Sequence, residues 1–150
     1  MGHTYTSCLF HVVFSTKERR PTITPELQAR LYPYLAGIAR ANRFHALEVG
    51  GTPDHVHLLL ALPATMPIAK AVQLLKGGSS RWAHETFPRE QLFAWQDGYG
   101  AFTVGVSGVA RTTTYIRAQA AHHRRRTFQD EFREFLTKHG IEWDEKYVWG

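Results

Sequence analysis

The side chains best able to do chemistry form two close pairs in the sequence. His55 and His57 stand one residue apart before a leucine run, and Tyr115 stands four residues before Gln119. Side chains repeat every two residues along a strand, whereas residues four apart share one face of a helix. The spacing therefore predicts two imidazoles on one face of a sheet, and a phenol beside an amide on a helix.

These four side chains together indicate a divalent metal next to a tyrosine nucleophile. Imidazole nitrogens bind divalent metals, and the Gln119 amide oxygen can complete the set without adding charge. Nitrogen and oxygen ligands that leave positions open for water and phosphate suit Mg²⁺ or Mn²⁺, which would polarise a phosphodiester. Tyr115 would attack the phosphorus, although a phenol with an ordinary pKa of about 10 needs a neighbour to activate it. The covalent phosphotyrosine conserves the bond energy, which favours strand transfer over hydrolysis.

Each part of this pattern is weak when it is taken alone. Two histidines in a strand are more often structural than ligands, and Tyr and Gln four residues apart occur often by chance. The whole pattern is more specific, because Asp54 precedes the histidines and the hinge Ser107-Gly108 precedes the tyrosine. A basic run then follows Gln119.

The elements that must position these pairs alternate between strands and helices. Apolar runs bounded by turn residues predict strands over 8–14, 44–49, 55–62, 93–96 and 101–106. Cap and proline signals predict helices over 24–42 and 67–85, and further helices around Tyr115 and over 128–138. The first six elements are typical of an α+β, ferredoxin-like or RRM-like split βαβ fold, with an antiparallel sheet backed by helices. The C-terminal helix carrying the tyrosine follows that unit. Because unrelated proteins share this plan, the fold alone does not give the function.

Length and composition are those of one globular domain spanning residues 1–150. The chain is 43% hydrophobic and 21% charged, and 150 residues can bury a substantial core. No apolar run reaches the ~20 residues of a membrane helix, and the N-terminus lacks a signal-peptide pattern. We therefore expect a cytoplasmic protein without a membrane partner. The single cysteine, Cys8, excludes an intrachain disulfide and lies in an apolar run.

The charge is unevenly distributed along the chain. The formal net charge is +5, with 15 of the 18 Lys and Arg but only 7 of the 13 acids within residues 1–126. A basic body followed by an acidic tail indicates a polyanionic partner, for which nucleic acid is the leading candidate. The alternative at this point is a generic solvated surface.

Motifs over nearly the whole chain carry a family resemblance. They comprise Phe10 to Lys17 with Arg19 and Arg20, Asp54 to His57, Leu75 to Gly77 with Ser79 and Ser80, Trp95 to Tyr99, Tyr115 and Ile116 with Gln119, His122 and His123, and finally Phe128, Glu131 and Phe132. In these motifs the chain resembles the single-tyrosine HUH transposases of small bacterial insertion sequences, including the related REP-associated tyrosine transposases. The REP-associated group usually has an Asn-Pro-containing segment after its tyrosine. Because Arg117-Ala118-Gln119 stands there instead, the insertion-sequence type is favoured.

The resemblance implies a metal-dependent DNA transposase. His55, His57 and Gln119 would hold the metal, and Tyr115 would cleave and rejoin single-stranded DNA through a 5′-phosphotyrosine, leaving a free 3′-hydroxyl. The DNA would carry imperfect hairpins at the element's ends. Family members are similar in forming a homodimer whose sheets join, with the tyrosine helix of one subunit often serving the histidines of the other. Glycines before that helix, such as Gly105 and Gly108, would permit the exchange.

Basic side chains are expected to contact DNA phosphates, which would make binding steeply salt-dependent. The predicted set is Lys17, Arg19, Arg20, Lys76, Arg117, Arg124, Arg125 and Arg126. A solvated turn or helix packing is the alternative for these positions. Trp95, Tyr99 and Phe102 favour core or dimer contacts over base stacking.

Two questions stay open from the sequence. His11 lies between apolar residues and is expected to be structural, whereas His122 and His123 are either phosphate or metal neighbours or local structure. The alternative function is a non-catalytic single-stranded nucleic-acid-binding module, such as a domesticated transposase. A two-histidine phosphoesterase ranks low, because it needs two His-x-Ser/Thr motifs and only the one at His84 fits, in a predicted helix.

Overall fold

Strands and helices follow one another in nearly the predicted order in a computed structural model of the chain, which describes residues 2–122 and 125–150. The strands are β1 (Cys8–Ser15), β2 (His45–Thr52), β3 (His55–Leu62) and β4 (Gly100–Val104). The helices are α1 (Pro25–Ala41), α2 (Ile68–Thr86), α3 (Val109–Arg117), α4 (Gln119–His122) and α5 (Phe128–Lys138). Short 3-10 turns occupy Lys17–Arg19 and Val106–Gly108.

The strands form one antiparallel sheet in the order β2-β3-β1-β4. This order, with α1 and α2 as the crossovers, confirms the predicted split βαβ fold. The strand expected over 93–96 is wrong, because only Trp95 forms a bridge, to Thr16. The backbone N–H groups of Lys17 and Gln96 donate to the carbonyls of Ala94 and Ser15, but the pairing ends there, and β4 pairs with the rest of this edge of β1.

One face of the sheet forms the larger core with α1 and α2. Val12 and Phe14 of β1 point to this face, as do Leu58 and Leu60 of β3. They pack with apolar residues of both helices, including Leu31, Leu35, Val72 and Leu75. Because strand side chains alternate, every second residue of β1 and β3 is thereby committed to this core.

The opposite face carries the remaining residues of the same strands. Val13 and Phe102 pack there against Phe128, Phe132 and Leu136 of α5 in a second, smaller apolar cluster. The helix α3 also contacts β2 and β3. His55 and His57 differ in register by one residue from the core leucines, so the alternation directs them towards this second face.

Capping side chains start α1 and α5, which pack on opposite faces of the sheet. The Thr24 hydroxyl accepts from the backbone N–H of Leu27, and Pro25 takes the first helical position, as predicted. The Thr127 hydroxyl accepts from the N–H of Asp130 at the start of α5. No helix within residues 2–122 and 125–150 is both long and apolar enough to cross a membrane.

Glycines let α3 and α5 approach the sheet closely. A Cβ atom on Gly50 of β2 would overlap the backbone carbonyl of Ile116 in α3. A Cβ on Gly100 of β4 would lie 2.7 Å from the Phe132 ring of α5. The predicted end of the second strand at Val49 is wrong. Gly50 does not begin a turn but continues the strand beneath α3, and the turn follows only after Thr52.

Gly50→Ala should therefore destabilise the protein by about 1–3 kcal/mol, because α3 must move away from β2. Urea denaturation would measure the free energy of unfolding. The matched control is Gly77→Ala, because Gly77 lies within α2 and a Cβ there meets nothing within 4 Å. That change should be neutral or stabilising by up to about 1 kcal/mol. A Gly50→Ala protein as stable as the parent would contradict the close docking of α3.

Candidate active site

The central strand β3 places both histidines of the predicted pair beneath α3 and α5. His55 and His57 are fully buried, and their ring centroids lie 5.1 Å apart. They pair across the sheet with Ser15 and Val13 of β1. The geometry thus confirms that the two imidazoles share one face.

Both imidazoles are held through their Nδ1 atoms. His55 Nδ1 lies 2.6 Å from Asp54 Oδ1 and 2.9 Å from the Thr52 hydroxyl. His57 Nδ1 lies 2.8 Å from Nε2 of His11. Hydrogen bonds of this kind fix the tautomer and leave the other ring nitrogen for a metal. The Nε2 atoms of both histidines accordingly face Glu131 of α5, and that of His55 also faces Gln119 of α4.

His11 is structural, as expected, but its partner is a predicted metal ligand. Burial is the main cause that lowers the pKa of His11, to about 3, and the neighbouring His57 lowers it further. His11 is therefore neutral at physiological pH, with one ring nitrogen that donates and one that accepts. It can orient His57 without adding positive charge to the site.

Gln119 reaches the histidines from the start of α4. Its side chain is almost fully buried, and its Oε1 lies 3.4 Å from His55 Nε2. Its Nε2 donates to the backbone carbonyl of Tyr115 at 3.3 Å. The expected single helix through both residues is interrupted, because α3 ends at Arg117 and α4 begins at Gln119. Tyr115 and Gln119 nevertheless lie side by side, as their spacing predicts.

The Tyr115 ring lies over the histidines of its own chain. Its centroid is 5.8 Å from that of His57 and 5.9 Å from that of His11. The hydroxyl donates to Oε2 of Glu131 and lies 3.4 Å from Nε2 of His122. Burial raises the pKa of Tyr115 above its ordinary value, and the hydrogen bond to Glu131 and its charge raise it further. The phenol is therefore neutral in this arrangement, and its activation requires a cation or a proton acceptor.

Glu131 of α5 is a site residue that the sequence reasoning missed. It is almost fully buried, and its Oε1 lies 2.9 Å from His57 Nε2 and 3.9 Å from His55 Nε2. The sequence did hold a signal, since Glu131 falls among Phe128, Phe132 and Phe135 on the apolar stripe of an amphipathic helix. A charged side chain on a buried stripe is rarely retained without a partner.

These side chains fit a divalent cation. Ligand atoms of His55, His57 and Glu131 all lie within 4.8 Å of one another, and the Gln119 oxygen is beside them. Two imidazole nitrogens and two kinds of oxygen thus lie close together in a buried site. Such a donor set suits Mn²⁺ or Mg²⁺.

A cleft gives Tyr115 access to solvent. It has a volume of about 240 Å³ and is lined by Tyr115 and His122, with the cations Arg111, Arg126 and Lys138. Arg111 and Lys138 were not among the predicted DNA contacts. Their presence makes the approach to Tyr115 electropositive, although Glu134, which pairs with Arg126, also lines the cleft.

The structure brings two of the predicted basic groups together. Arg19 of the turn after β1 and Arg126 line one depression, at the N-terminus of α5. Arg126 also borders the tyrosine cleft, and Arg125 lies beside His122 on the adjoining surface. Arg124 and His123 lie outside the described residues.

The other predicted DNA contacts already have protein partners or simply lie near this surface. Arg20 pairs with Glu18 at 2.7 Å, Arg117 pairs with Glu48 at 3.1 Å, and Lys17 belongs to the same turn as Arg19. Lys76 is half-buried and donates to the carbonyls of Gln96 and Gly98. Burial lowers its pKa to about 8. Lys76 thus has a structural role, and its DNA contact stays a prediction.

A family model and known proteins similar to this chain are all transposases. The family model described as "Transposase IS200 like" matches residues 4–119. The transposase of insertion sequence element IS200 from Salmonella typhimurium is 31% identical over 125 residues, covering 79% of this chain and 81% of that protein. The ISDra2 transposase TnpA of Deinococcus radiodurans is 30% identical over 115 residues, covering 73% of this chain and 82% of that protein.

Solved structures share the fold. A crystal structure of a candidate transposase from Deinococcus radiodurans has a TM-score of 0.63 at 29% identity, covering 77% of this chain and 94% of that one. A REP-associated tyrosine transposase bound to a REP hairpin has a TM-score of 0.60 at 14% identity, covering 82% of this chain and 73% of that one.

His11→Phe should lower the affinity for Mn²⁺ by about 10- to 100-fold, because the ring keeps its bulk but loses the nitrogen that holds His57. Calorimetric titration of the protein with Mn²⁺ measures the affinity. His45→Ala serves as the control, because His45 is exposed at the start of β2. An unchanged affinity in His11→Phe would show that the contact between His11 and His57 does not support metal binding.

Proposed function

The chain belongs to the IS200-like transposase family, and on that premise we propose that it cleaves and rejoins single-stranded DNA through a covalent bond to Tyr115. The observation that carries the proposal is the position of the Tyr115 hydroxyl. It contacts Glu131 while the Tyr115 ring lies against His57 of the same chain, and a cleft lined by cations leads to it. A nucleophile placed beside a metal-binding group is suited to attack a phosphodiester.

His55, His57 and Gln119 would hold Mg²⁺ or Mn²⁺, and Glu131 would supply a further oxygen. When bound, the cation would polarise the scissile phosphate as a Lewis acid. Asp54 and His11 would orient the two imidazoles through Nδ1, and the Gln119 amide would fix the backbone beneath Tyr115. Gln119 would thus serve both as a ligand and in the placement of Tyr115.

The Tyr115 oxygen would attack the phosphorus and displace the 3′-oxygen of the preceding nucleotide. The 5′-phosphate would remain on the tyrosine, and a 3′-hydroxyl of another strand could later reverse the step. The energy of the broken bond is kept in the phosphotyrosine, so rejoining needs no further energy source. Because the bond energy is conserved, a covalent tyrosine mechanism supports strand transfer over hydrolysis.

The proposed DNA is single-stranded with hairpin ends. The REP-associated transposase that shares this fold was solved with a REP hairpin, which supports a hairpin as the recognition element here. The surface formed by Arg19, Arg125 and Arg126 adjoins the tyrosine cleft and could follow the phosphates that lead to it. We also propose a homodimer, which the family resemblance implies.

Tyr115→Phe should bind DNA as the parent does but form no covalent adduct, because only the attacking oxygen is removed. Labelled single-stranded oligonucleotides from the gene's own flanks would be incubated with Mg²⁺ or Mn²⁺ and resolved on a denaturing gel. EDTA should also abolish the adduct of the parent protein. The matched control is Tyr34→Phe, because Tyr34 lies on α1 across the sheet.

An adduct that persists in Tyr115→Phe would refute the assignment of the nucleophile. DNA binding without any adduct in the parent protein, with correct flanks and metal, would favour the non-catalytic binding module instead. In that case, EDTA and Tyr115→Phe would alter affinity at most.

Arg125→Ala should weaken hairpin binding and reduce the slope of log affinity against log salt by about one, because one phosphate contact is lost. Fluorescence anisotropy at several salt concentrations measures this slope. Arg40→Ala is the control, since Arg40 is exposed on α1 behind the sheet. An unchanged slope for Arg125→Ala would remove this surface from the proposed DNA path.

A further inference from the structure

The two oxygens of the Glu131 carboxylate contact different groups of the site, the strand histidines and the Tyr115 hydroxyl. Oε1 lies 2.9 Å from His57 Nε2, on the side of the imidazoles. Oε2 accepts from the Tyr115 hydroxyl and lies 3.5 Å from His122 Nε2. One side chain therefore touches both the metal-binding group and the reacting atom of the nucleophile.

Burial of this carboxylate is costly unless its contacts offset the loss of water. Glu131 is only 2% exposed, and α5 would bury an apolar residue at this position at lower cost. The helix is held firmly, since Phe132 packs on Gly100 and Arg133 forms a two-point ion pair with Glu145. Glu131 is thus placed by rigid structure rather than by a loose surface segment.

We propose that Glu131 is a catalytic residue that takes the proton of Tyr115 as the phenol oxygen attacks the DNA. The inference rests on the proposed function of Tyr115 and adds the proton acceptor that this function requires. Glu131 belongs to α5, which lies beyond residues 4–119 matched by the family model.

The contacts define the bonds that break and form in this step. The O–H bond of Tyr115 breaks, and its proton moves to Glu131 Oε2. The electron pair of the phenol oxygen forms the new bond to phosphorus, while the bond from phosphorus to the 3′-oxygen breaks. The departing 3′-oxygen keeps that electron pair and takes a proton from water in the open cleft. In the rejoining step, the phenol oxygen recovers its proton from Glu131.

His122 gives the proton a route between Glu131 and solvent. Its Nε2 lies 3.4 Å from the Tyr115 oxygen and 3.5 Å from Glu131 Oε2, and its side chain is 30% exposed where it lines the cleft. His122 thus lies between the buried carboxylate of Glu131 and the solvent of the cleft. The sequence left His122 open between a functional and a local role, and this contact favours the functional one.

A different role for Glu131 would be that of a metal ligand only. The two roles separate in Glu131→Gln, because glutamine keeps the size and a neutral oxygen donor but cannot take the proton in this way. Measuring each variant at its own saturating Mn²⁺ removes any difference in metal affinity. Calorimetry supplies that affinity, and anisotropy supplies the affinity for the hairpin oligonucleotide.

The test is the single-turnover rate of adduct formation at saturating Mn²⁺ and DNA. Glu131→Gln should bind both Mn²⁺ and DNA yet form the adduct about 10²- to 10⁴-fold more slowly, as for loss of a general base. Added formate should restore part of the rate in Glu131→Ala by replacing the carboxylate. Asp130→Asn is the control, because Asp130 is exposed in the same turn of α5 and should leave the rate unchanged.

The outcomes separate this inference from the proposed function. A parent protein that forms no adduct with metal would overturn the proposed function itself. If the parent forms the adduct and Glu131→Gln reacts at the same rate at saturating Mn²⁺, only the role of Glu131 as proton acceptor is overturned. A third outcome would assign Glu131 to metal binding alone. In that outcome, Glu131→Gln reacts slowly because it cannot bind Mn²⁺, and formate does not restore the rate of Glu131→Ala.

Discussion

The alternation of side chains along the central strand β3 is the constraint on which the rest of the structure depends. Leu58 and Leu60 must point into the core formed with α1 and α2, so His55 and His57 must point to the other face. A shift of one residue would move the leucines to the face under α3 and α5 and place the imidazoles in the apolar core formed with α1 and α2. The hydrophobic core thus fixes the position of the histidine pair as firmly as it fixes the sheet.

The second face of the sheet is completed by parts of the chain that differ in charge. The basic body supplies the histidines, Tyr115 and the arginines near the cleft, whereas the acidic C-terminal part supplies Glu131. Close packing at Gly50 and Gly100 lets α3 and α5 converge over the imidazoles. A negative side chain consequently lies at the centre of a surface that is otherwise suited to polyanions, where a cation would balance it.

Local periodicity explains what could be predicted from the sequence. The period of a strand placed His55 and His57 on one face, and the period of a helix placed Tyr115 beside Gln119. Glu131 could not be assigned in this way, because its contacts depend on how α5 packs across the sheet, although its place on an apolar stripe was a usable signal. The strand predicted over 93–96 failed for a similar reason, because β4 pairs with most of that edge of β1 and leaves this segment a single bridge, between Trp95 and Thr16.

Anomalous diffraction from crystals grown with Mn²⁺ tests most directly whether one metal centre joins the strand histidines to the tyrosine helix. We expect a single strong peak within about 2.0–2.3 Å of Nε2 of both His55 and His57. The Gln119 oxygen would lie in its coordination sphere, and the Tyr115 hydroxyl would be close by. A peak held only by surface carboxylates, or no peak at the histidines at saturating Mn²⁺, would contradict it.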